Sequence, residues 1–361
     1  MQEEYYNMRS WMTDAWAAGA ISGGIKQECI REGKRGSYFI MKNKVIKISG
    51  IATASFTIFM AFGWSFFETM VRCKKKKDLT KKKWFRLSHT KINHPRHKFE
   101  KEYEEGKAWC RAQDMQDCYI RSKDGLILHG LYLPAEHAKR FVLLSHGYRG
   151  SGFGDFAYTA RFLHENHCNL LFIDQRCCGE SEGEYITFGA KEQYDVQRWA
   201  YDLAKKNKDR LPIYLYGESM GAAAVLMASG QKLPGEVRGL IADCGFRSMK
   251  GQLQDMAANW FHLNWIELLL FRVDLFCGIF GGFRMKEADT TKAMKTNQRP
   301  VLFFHGSRDT YVDPGNTRHN YALCRAPKEL VIVPGARHLC SAYVAPELYR
   351  EKILGFFEKY D

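Results

Sequence analysis

The sequence predicts an α/β domain built on an eight-stranded, mostly parallel sheet with helices on both faces. Six short apolar runs recur between residues 141 and 333, and stretches with helical spacing separate them. Such near-continuous apolar runs are typical of parallel strands that are covered on both faces. A hairpin that turns at Asp124-Gly125 precedes them. Two antiparallel strands followed by alternating strands and helices account for all eight strands.

The individual strands follow from the apolar runs in chain order. The hairpin comprises Cys118-Tyr-Ile-Arg and the run from Leu126 to Leu133. The six later strands begin near Phe141, Asn169, Ile213, Gly239, Val301 and Leu330. Between the second and third of these, the segment from Lys191 to Lys206 carries apolar residues at helical spacing, which predicts a helix.

The sequence is strongly basic, but the excess charge is confined to one end. Residues 1–100 hold 20 Lys and Arg against 8 Asp and Glu, whereas the other 261 residues hold 34 against 32. A nearly neutral body argues against a nucleic-acid-binding domain. The Lys-rich run from Lys74 to Lys83 directly follows an apolar stretch, so we expect it to contact anionic lipid headgroups rather than nucleic acid.

That apolar stretch, residues 48–67, contains twenty residues without a charge. As a helix it would span roughly 30 Å, the thickness of a bilayer core. Lysines flank it on both sides, and Trp64 lies near one end, where an indole favours the membrane interface. We predict an uncleaved transmembrane anchor over 48–71. A buried helix of a soluble domain is the alternative, and a cleaved signal peptide is disfavoured because no small-residue cleavage site follows.

The basic flanks also orient the predicted anchor. Nine Lys and Arg lie between Arg72 and Arg86, against six between Arg31 and Lys47. This excess favours a cytoplasmic location for everything after the anchor, in a single-pass protein of the cell membrane. The predicted organisation is an N-terminal extension (1–47), the anchor (48–71), a basic linker (72–116) and a catalytic domain (117–361).

The eleven cysteines are scattered and include no Cys-x-x-Cys pair. Neither a zinc ribbon nor a thioredoxin-type redox site is therefore predicted. Several cysteines lie beside apolar runs, where cysteine behaves as a small buried hydrophobe, and a reducing compartment is the simpler interpretation. The sequence carries no metal-binding or nucleotide-binding motif, so we expect no metal and no cofactor.

A nucleophile motif follows the strand that begins near Ile213. It reads Gly217-Glu-Ser219-Met-Gly221, and a helix-prone Ala-rich segment comes next. Gly-x-Ser-x-Gly between a strand and a helix forms a tight turn in which neighbouring backbone leaves no room for a Cβ on either glycine. The turn presents Ser219 at a helix N-terminus, where free N–H groups favour developing negative charge.

A serine hydroxyl needs a base to become nucleophilic, and the base needs an orienting acid. Asp309 follows the strand that begins near Val301, and His338 follows the next strand. The chain order Ser219, Asp309, His338 is the order expected after such a strand–turn–helix motif. Asp313 and Asp243 are alternatives for the acid.

Two backbone N–H groups would complete an oxyanion hole. Met220 N–H directly follows the nucleophile. The turn after the strand that begins near Phe141 reads His146-Gly-Tyr148-Arg-Gly150, so Tyr148 N–H is the second candidate.

These motifs resemble the α/β-hydrolase superfamily over residues 117–361. The segments that carry the resemblance, besides the motif around Ser219, are His146-Gly147, Asp174 to Gly183, His305 to Asp309 and Gly335 to His338. Within the superfamily, the sequence is most similar to bacterial membrane-anchored serine hydrolases of the prolyl-oligopeptidase-like and acyl-hydrolase-like groups. The resemblance implies an α/β-hydrolase fold with a small helical cap over residues 249–285.

We therefore predict a membrane-anchored serine hydrolase that cleaves an ester or thioester through an acyl-enzyme on Ser219. The substrate is expected to be a small-molecule or lipid-like acyl compound, because the cap segment is rich in Trp, Phe and Leu. A serine peptidase acting on small peptides would use the same acyl-transfer chemistry and is the first alternative. The second is a non-catalytic membrane scaffold, which the intact set of Ser, Asp, His and Gly residues argues against.

Overall fold

Eight strands form one sheet in a computed structural model that describes residues 46–47, 57, 59–73, 95–262 and 266–361. The strands are β1 (Gln116–Arg121), β2 (Ile127–Leu133), β3 (Arg140–Ser145), β4 (Cys168–Ile173), β5 (Ile213–Glu218), β6 (Val237–Asp243), β7 (Val301–Gly306) and β8 (Lys328–Val333). Their spatial order is β1-β2-β4-β3-β5-β6-β7-β8. Strand β2 pairs antiparallel with β1 and β4, and the remaining neighbours pair in parallel. The predicted eight-stranded, mostly parallel sheet is confirmed.

Helices connect the strands and cover both faces of the sheet. From residue 100 onward they are α1 (Glu100–Arg111), α2 (Ala157–Glu165), α3 (Glu192–Lys206), α4 (Met220–Ala228), α5 (Met249–Phe261), α6 (Glu267–Phe276), α7 (Thr291–Thr296), α8 (Pro314–Leu323), α9 (Ser341–Val344) and α10 (Pro346–Tyr360). A 3-10 turn, Pro95–Phe99, precedes α1, and a π-helical turn, Cys277–Gly281, follows α6. Helices α5 and α6 lie between β6 and β7, in the segment where the cap was predicted.

The central strands supply two apolar cores, one on each face of the sheet. Leu143 of β3 lies in one core with Trp199 of α3 and Val225 of α4. Its neighbours Val142 and Leu144 lie in the other core, which α2 and α10 complete. Successive residues of a strand face opposite sides, so a strand between two cores must be apolar throughout. All residues of β3, β4, β5 and β7 are buried, which explains the continuous apolar runs in the sequence.

The chain divides into two units, residues 1–61 and 62–361. The second unit therefore begins before residue 117, where the sequence placed the start of the catalytic domain. Its first described part is residues 62–73, here named the strap, which is helical to residue 70. Phe67 and Val71 of the strap are fully buried, and the Phe67 ring packs 6.0 Å from that of Phe276.

Helix α1 also belongs to the second unit, although the sequence assigned it to the linker. It packs against α2 so closely that a Cβ on Gly106 would overlap Ala157 O. Cys110 on the same helix is buried in the core shared with α2. The apolar contacts of α1 join it to the sheet domain, and this tertiary packing has no local sequence signature.

The predicted transmembrane anchor is only partly covered by the structure. Positions 48–56 and 58 lie outside the described residues, as do residues 1–45 and 74–94. Among the residues that the structure describes, no helix is both long enough and apolar enough to cross a bilayer. Residues 62–71 of the predicted anchor over 48–71 instead belong to the strap, which packs within the second unit, so only the part over 48–61 stays a prediction.

Candidate active site

Ser219 stands on a sharp turn between β5 and α4. Its backbone has φ +54° and ψ −116°, a conformation that residues with side chains rarely adopt. A Cβ on Gly217 would overlap Gly221 O, and a Cβ on Gly221 would overlap Ser145 O. Close backbone packing thus requires both glycines of the motif, and it lifts the serine side chain to the carboxyl edge of the sheet.

His338 connects Ser219 to Asp309. Its Nε2 lies 2.9 Å from Ser219 Oγ, and its Nδ1 lies 2.7 Å from Asp309 Oδ2. Ser219, Asp309 and His338 are only 8%, 5% and 8% exposed. The structure brings the three predicted residues into one hydrogen-bonded chain, in which the imidazole can take the serine proton and the carboxylate can orient the imidazole.

Asp309 has further partners besides His338. Its Oδ1 accepts hydrogen bonds from the backbone N–H groups of Tyr311 at 2.8 Å and Val312 at 2.9 Å, and His305 Nε2 lies 3.2 Å from Oδ2. Burial disfavours the charged carboxylate, but His338 and His305 outweigh that effect and hold the pKa of Asp309 well below its usual range. Asp309 is therefore ionised, as an orienting acid must be.

The two alternative acids bind other groups. Asp313 caps the N-terminus of α8, where its side chain accepts a hydrogen bond from Gly315 N–H at 2.7 Å. Asp243 accepts a hydrogen bond from Tyr349 OH at 2.9 Å. Within the described hydrogen bonds, neither carboxylate reaches His338, whereas Asp309 does.

The predicted oxyanion donors belong to two backbone segments that meet at Ser219. Met220 is the first residue of α4, and a Cβ on Gly147 would lie 3.3 Å from Ser219 Cβ. Among the described residues, neither Met220 N–H nor Tyr148 N–H donates a hydrogen bond to the protein. Both N–H groups can therefore be offered to a substrate oxygen.

Comparison with known proteins finds a matching family model and similar sequences. The family model described as serine aminopeptidase, S33, matches residues 136–273. The uncharacterized protein YqkD of Bacillus subtilis (strain 168) is 28% identical over 240 residues, which cover 66% of this chain and 78% of that protein. The alpha/beta hydrolase domain-containing protein WAV2 of Arabidopsis thaliana is 26% identical over 275 residues, covering 68% and 79%.

Solved structures share the fold. The Pyrococcus furiosus esterase Pf2001 matches with a TM-score of 0.55 at 21% identity, over 69% of this chain and 92% of that one. Est1E from Butyrivibrio proteoclasticus, solved with ferulic acid bound, matches with a TM-score of 0.51 at 18% identity, over 67% and 98%. The chain belongs to the α/β-hydrolase superfamily. It is a serine hydrolase.

The strap of this hydrolase holds the turn that carries the predicted oxyanion donor. Tyr148 OH donates a hydrogen bond of 2.7 Å to Met70 O, and Arg149 Nη2 donates one of 2.8 Å to Thr69 O. No sequence motif indicates these contacts, because the strap contributes only backbone carbonyls to them. Any residue sequence could supply such groups, so only the fold identifies them.

Three further side chains at the site carry no recognisable motif. The Tyr311 ring stacks on the His338 ring, with centroids 5.4 Å apart and planes 15° apart. Gly147 N–H, next to the predicted oxyanion donor, donates a hydrogen bond of 2.7 Å to Asp155 Oδ2. Arg96 in turn pairs with Asp155 at 3.2 Å. Asp155 lies 8 residues after Gly147 and Arg96 lies 51 residues before it, so no spacing rule links them to Gly147.

One cluster of metal-type ligands lies at the same place. Among the described residues, the donor atoms of Cys244, Asp309 and His338 lie within 4.8 Å of one another. Asp309 and His338 are already bonded to each other, and burial raises the pKa of the Cys244 thiol well above its usual value. A metal would need the Cys244 thiolate, which this environment disfavours.

Proposed function

We propose that this serine hydrolase cleaves ester or thioester bonds through a covalent acyl-enzyme on Ser219. The hydrogen-bonded chain Ser219–His338–Asp309 carries the proposal. His338 Nε2 takes the Ser219 hydroxyl proton as Oγ attacks the substrate carbonyl carbon, and the carbonyl electron pair moves onto its oxygen. Collapse of that oxyanion forms the acyl-enzyme, while His338 gives the proton to the departing alcohol or thiol. A water molecule then repeats the sequence and releases the acid.

The charges around His338 favour this reaction. Proton transfer leaves an imidazolium, and the ionised Asp309 at 2.7 Å stabilises it. Met220 N–H and Tyr148 N–H are proposed to bind the oxyanion, adding to the positive potential at the start of α4. Removing one such donor typically costs about 100- to 1,000-fold in kcat.

An ester substrate agrees better with the described side chains than the free amino terminus of a peptide does. An aminopeptidase needs an anionic group to bind the substrate ammonium. Asp155 and Glu218 pair with Arg96, and Asp243 accepts a hydrogen bond from Tyr349. These buried carboxylates already have partners, so they do not offer a free negative charge. The match to an esterase fold supports the same choice, although the family model is named for a peptidase.

A substrate comparison tests the proposed bond type. Purified wild-type protein and Ser219→Ala would be assayed on p-nitrophenyl esters of increasing acyl length and on aminoacyl-p-nitroanilides. We expect ester cleavage that varies with acyl length and disappears in Ser219→Ala. Cleavage of the anilides alone would identify a peptidase. A folded wild-type protein inactive on both sets would favour the scaffold alternative.

We propose further that the enzyme works at a membrane and takes a lipid-like acyl substrate. A surface of large apolar side chains supports this. Its members, all more than two-fifths exposed, are Phe62, Leu268, Phe271, Ile279 and Phe280. The strap and the π-helical turn adjoin there, because the Trp64 and Phe280 rings lie 4.9 Å apart. Extended apolar surface of this kind is typical of membrane or partner contacts, and the Lys-rich run follows the strap directly in the sequence.

Vesicle flotation tests the membrane proposal on the full-length chain. We expect the protein to float with vesicles that contain anionic lipid, and the double variant Leu268→Ser/Phe271→Ser to float less. A full-length protein that stays in the soluble fraction without detergent would contradict the proposal. Alkaline phosphatase fused after residue 90 tests the cytoplasmic orientation, since phosphatase activity there would place the catalytic domain outside.

A further inference from the structure

We propose that Arg96 is a positioning residue that holds the oxyanion turn, the nucleophile turn and the histidine loop in one arrangement. This inference rests on the proposed roles of Ser219 and His338. Arg96 lies outside residues 136–273, which the family model matches.

Arg96 reaches three parts of the site with one buried guanidinium. It lies on the 3-10 turn before α1 and is 5% exposed. Its Nη1 lies 3.2 Å from Asp155 Oδ1, and its Nη2 lies 3.2 Å from Glu218 Oε2. Its Nε donates to Leu339 O at 3.4 Å.

Each of these acceptors is directly connected to a group of the proposed mechanism. Asp155 uses its second oxygen, Oδ2, to accept the Gly147 N–H at 2.7 Å, so it fixes the residue before Tyr148. Glu218 immediately precedes Ser219, and Leu339 immediately follows His338. Arg96 thus contacts the residues next to Ser219 and His338 in the chain, and it reaches Gly147, next to Tyr148, through Asp155.

The planar guanidinium suits this task better than an ammonium. Arginine offers its donors in a rigid fork, whereas lysine offers one compact charge on a flexible stem. The three acceptors come from segments that meet only in the folded chain. A guanidinium that bonds all three acceptors restricts their relative movement. Small displacements of groups near the reacting atoms lower the reaction rate strongly.

The charges facing Arg96 explain why its loss should change the pH dependence. Burial disfavours its charge, but Asp155 and Glu218 outweigh burial and raise the pKa of Arg96. Burial likewise opposes the Asp155 carboxylate, yet Arg96 and then His146 lower the pKa of Asp155. Burial dominates at Glu218 and raises the pKa of that carboxyl, with Arg96 opposing it.

The remaining titratable groups around this cluster do not replace the Arg96 charge. Tyr103 and Tyr343 face the guanidinium, and Asp243 and Tyr216 face Glu218. None of these four supplies a positive charge. Without Arg96, only His146 and the Gly147 N–H oppose burial at Asp155, so the pKa of that carboxyl rises and it takes up a proton at a higher pH than in the wild type. A protonated Asp155 is a weaker acceptor for Gly147 N–H, and the oxyanion turn loosens at low pH.

Steady-state kinetics of Arg96→Met on a short soluble p-nitrophenyl ester tests the inference. We expect kcat to fall about 10- to 100-fold with KM changed less than about threefold, as for a displaced transition-state contact. The acid limb of the kcat/KM–pH profile should move to higher pH. Arg96→Lys should recover part of kcat, because it restores the charge without the fork.

Arg140→Met is the matched control. Arg140 is also buried and ion-paired, to Asp361. It begins β3, however, so it lies at the amino ends of the parallel strands, whereas Ser219 lies at their carboxyl ends. It should lose thermal stability while keeping the wild-type kcat and pH profile. If folded Arg96→Met behaves in the same way, the positioning role is wrong. If Arg96→Met does not fold, Arg96→Lys decides: a lowered kcat with the wild-type acid limb supports the role, because lysine keeps the charge and loses the fork, and a wild-type kcat overturns it.

The proposed function can fail separately. A wild-type protein that is folded but inactive on esters would remove the acyl-transfer mechanism itself. An active wild-type protein whose Arg96 variants keep normal kinetics would leave that mechanism intact and remove only Arg96 from it.

Discussion

The site is assembled from two regions, of which one is recognisable from sequence motifs and the other is not. The loops after β5, β7 and β8 supply Ser219, Asp309 and His338, each within a short motif directly after an apolar strand. The strap and the turn Pro95–Phe99 supply Met70 O and Arg96, which hold the oxyanion turn without any motif. The reacting groups are thus locally encoded, whereas the groups that position them are encoded only through tertiary packing.

This difference has a physical cause. A nucleophile, a base and an acid must be particular side chains, so their chemistry is visible in the residue type. Holding a turn in place needs only a hydrogen-bond acceptor or a counter-charge at the right point in space. A backbone carbonyl of the strap meets that need as well as a side chain does. We therefore expect substitutions in the first region to abolish activity, and substitutions in the second to reduce it.

The largest expected effect separates Asp309 from its neighbour Asp313. Asp309→Asn should lower kcat by about 10,000-fold, as expected when the orienting carboxylate of such a chain becomes an amide. Asp313→Asn should keep wild-type kcat, because asparagine also caps a helix N-terminus well. Steady-state ester hydrolysis measures both variants. Equal kcat values for the two variants would show that Asp309 has no role in the proposed mechanism.

The fold and the three reacting residues could be predicted from the sequence for the same reason. Continuous apolar runs such as Phe141 to Ser145 specify strands buried on both faces, and residues that follow parallel strands meet at one edge. That rule is enough to bring Asp309 and His338 to Ser219. It also explains why Asp313, only four residues beyond Asp309, could not be excluded without coordinates. Its role as a cap depends on where α8 begins.

The next effect concerns stability at the nucleophile turn. In Gly221→Ala the new Cβ would overlap Ser145 O, a backbone atom that cannot move aside, so we expect a loss of at least about 2 kcal/mol in the free energy of unfolding. Gly355→Ala is the matched control, since a Cβ there meets nothing within 4 Å on an exposed position of α10. It should gain about 0.5–1 kcal/mol. Urea titration compares the two, and equal stabilities would contradict the packing described for the turn.

The smallest effect sharpens the role of the strap. Tyr148→Phe removes the hydrogen bond to Met70 O, and a bond worth about 0.5–1.5 kcal/mol corresponds to a roughly 2- to 10-fold fall in kcat. Tyr214→Phe removes a similar, partly buried bond, 3.0 Å to Asp361, at the start of β5. It should be destabilised to a similar degree with unchanged kcat. A normal kcat in Tyr148→Phe would show that the strap contributes to stability alone.

The second region could not be predicted, and its residues show why. Arg96 lies in a charged segment that is typical of a solvated linker, and the neighbouring residues do not indicate a buried ion pair. From the sequence alone, Gly106 is expected only to weaken its helix. The structure shows that the close contact with Ala157 leaves no room for a larger residue there. Phe67 lies in an apolar run that suits a membrane span, yet its side chain is fully buried against the hydrolase. In each case the deciding partner lies far away in the sequence.

Labelling with a fluorophosphonate probe, followed by peptide mass mapping, tests the central proposal most directly. The phosphorus atom is attacked only by an activated serine, so the reaction reports the Ser219–His338–Asp309 chain without assuming a substrate. We predict one adduct on the peptide that contains Ser219 in the wild-type protein, and none in Ser219→Ala. A folded wild-type protein that stays unlabelled, or a Ser219→Ala protein that is labelled equally well, would contradict the assignment of Ser219 as the nucleophile.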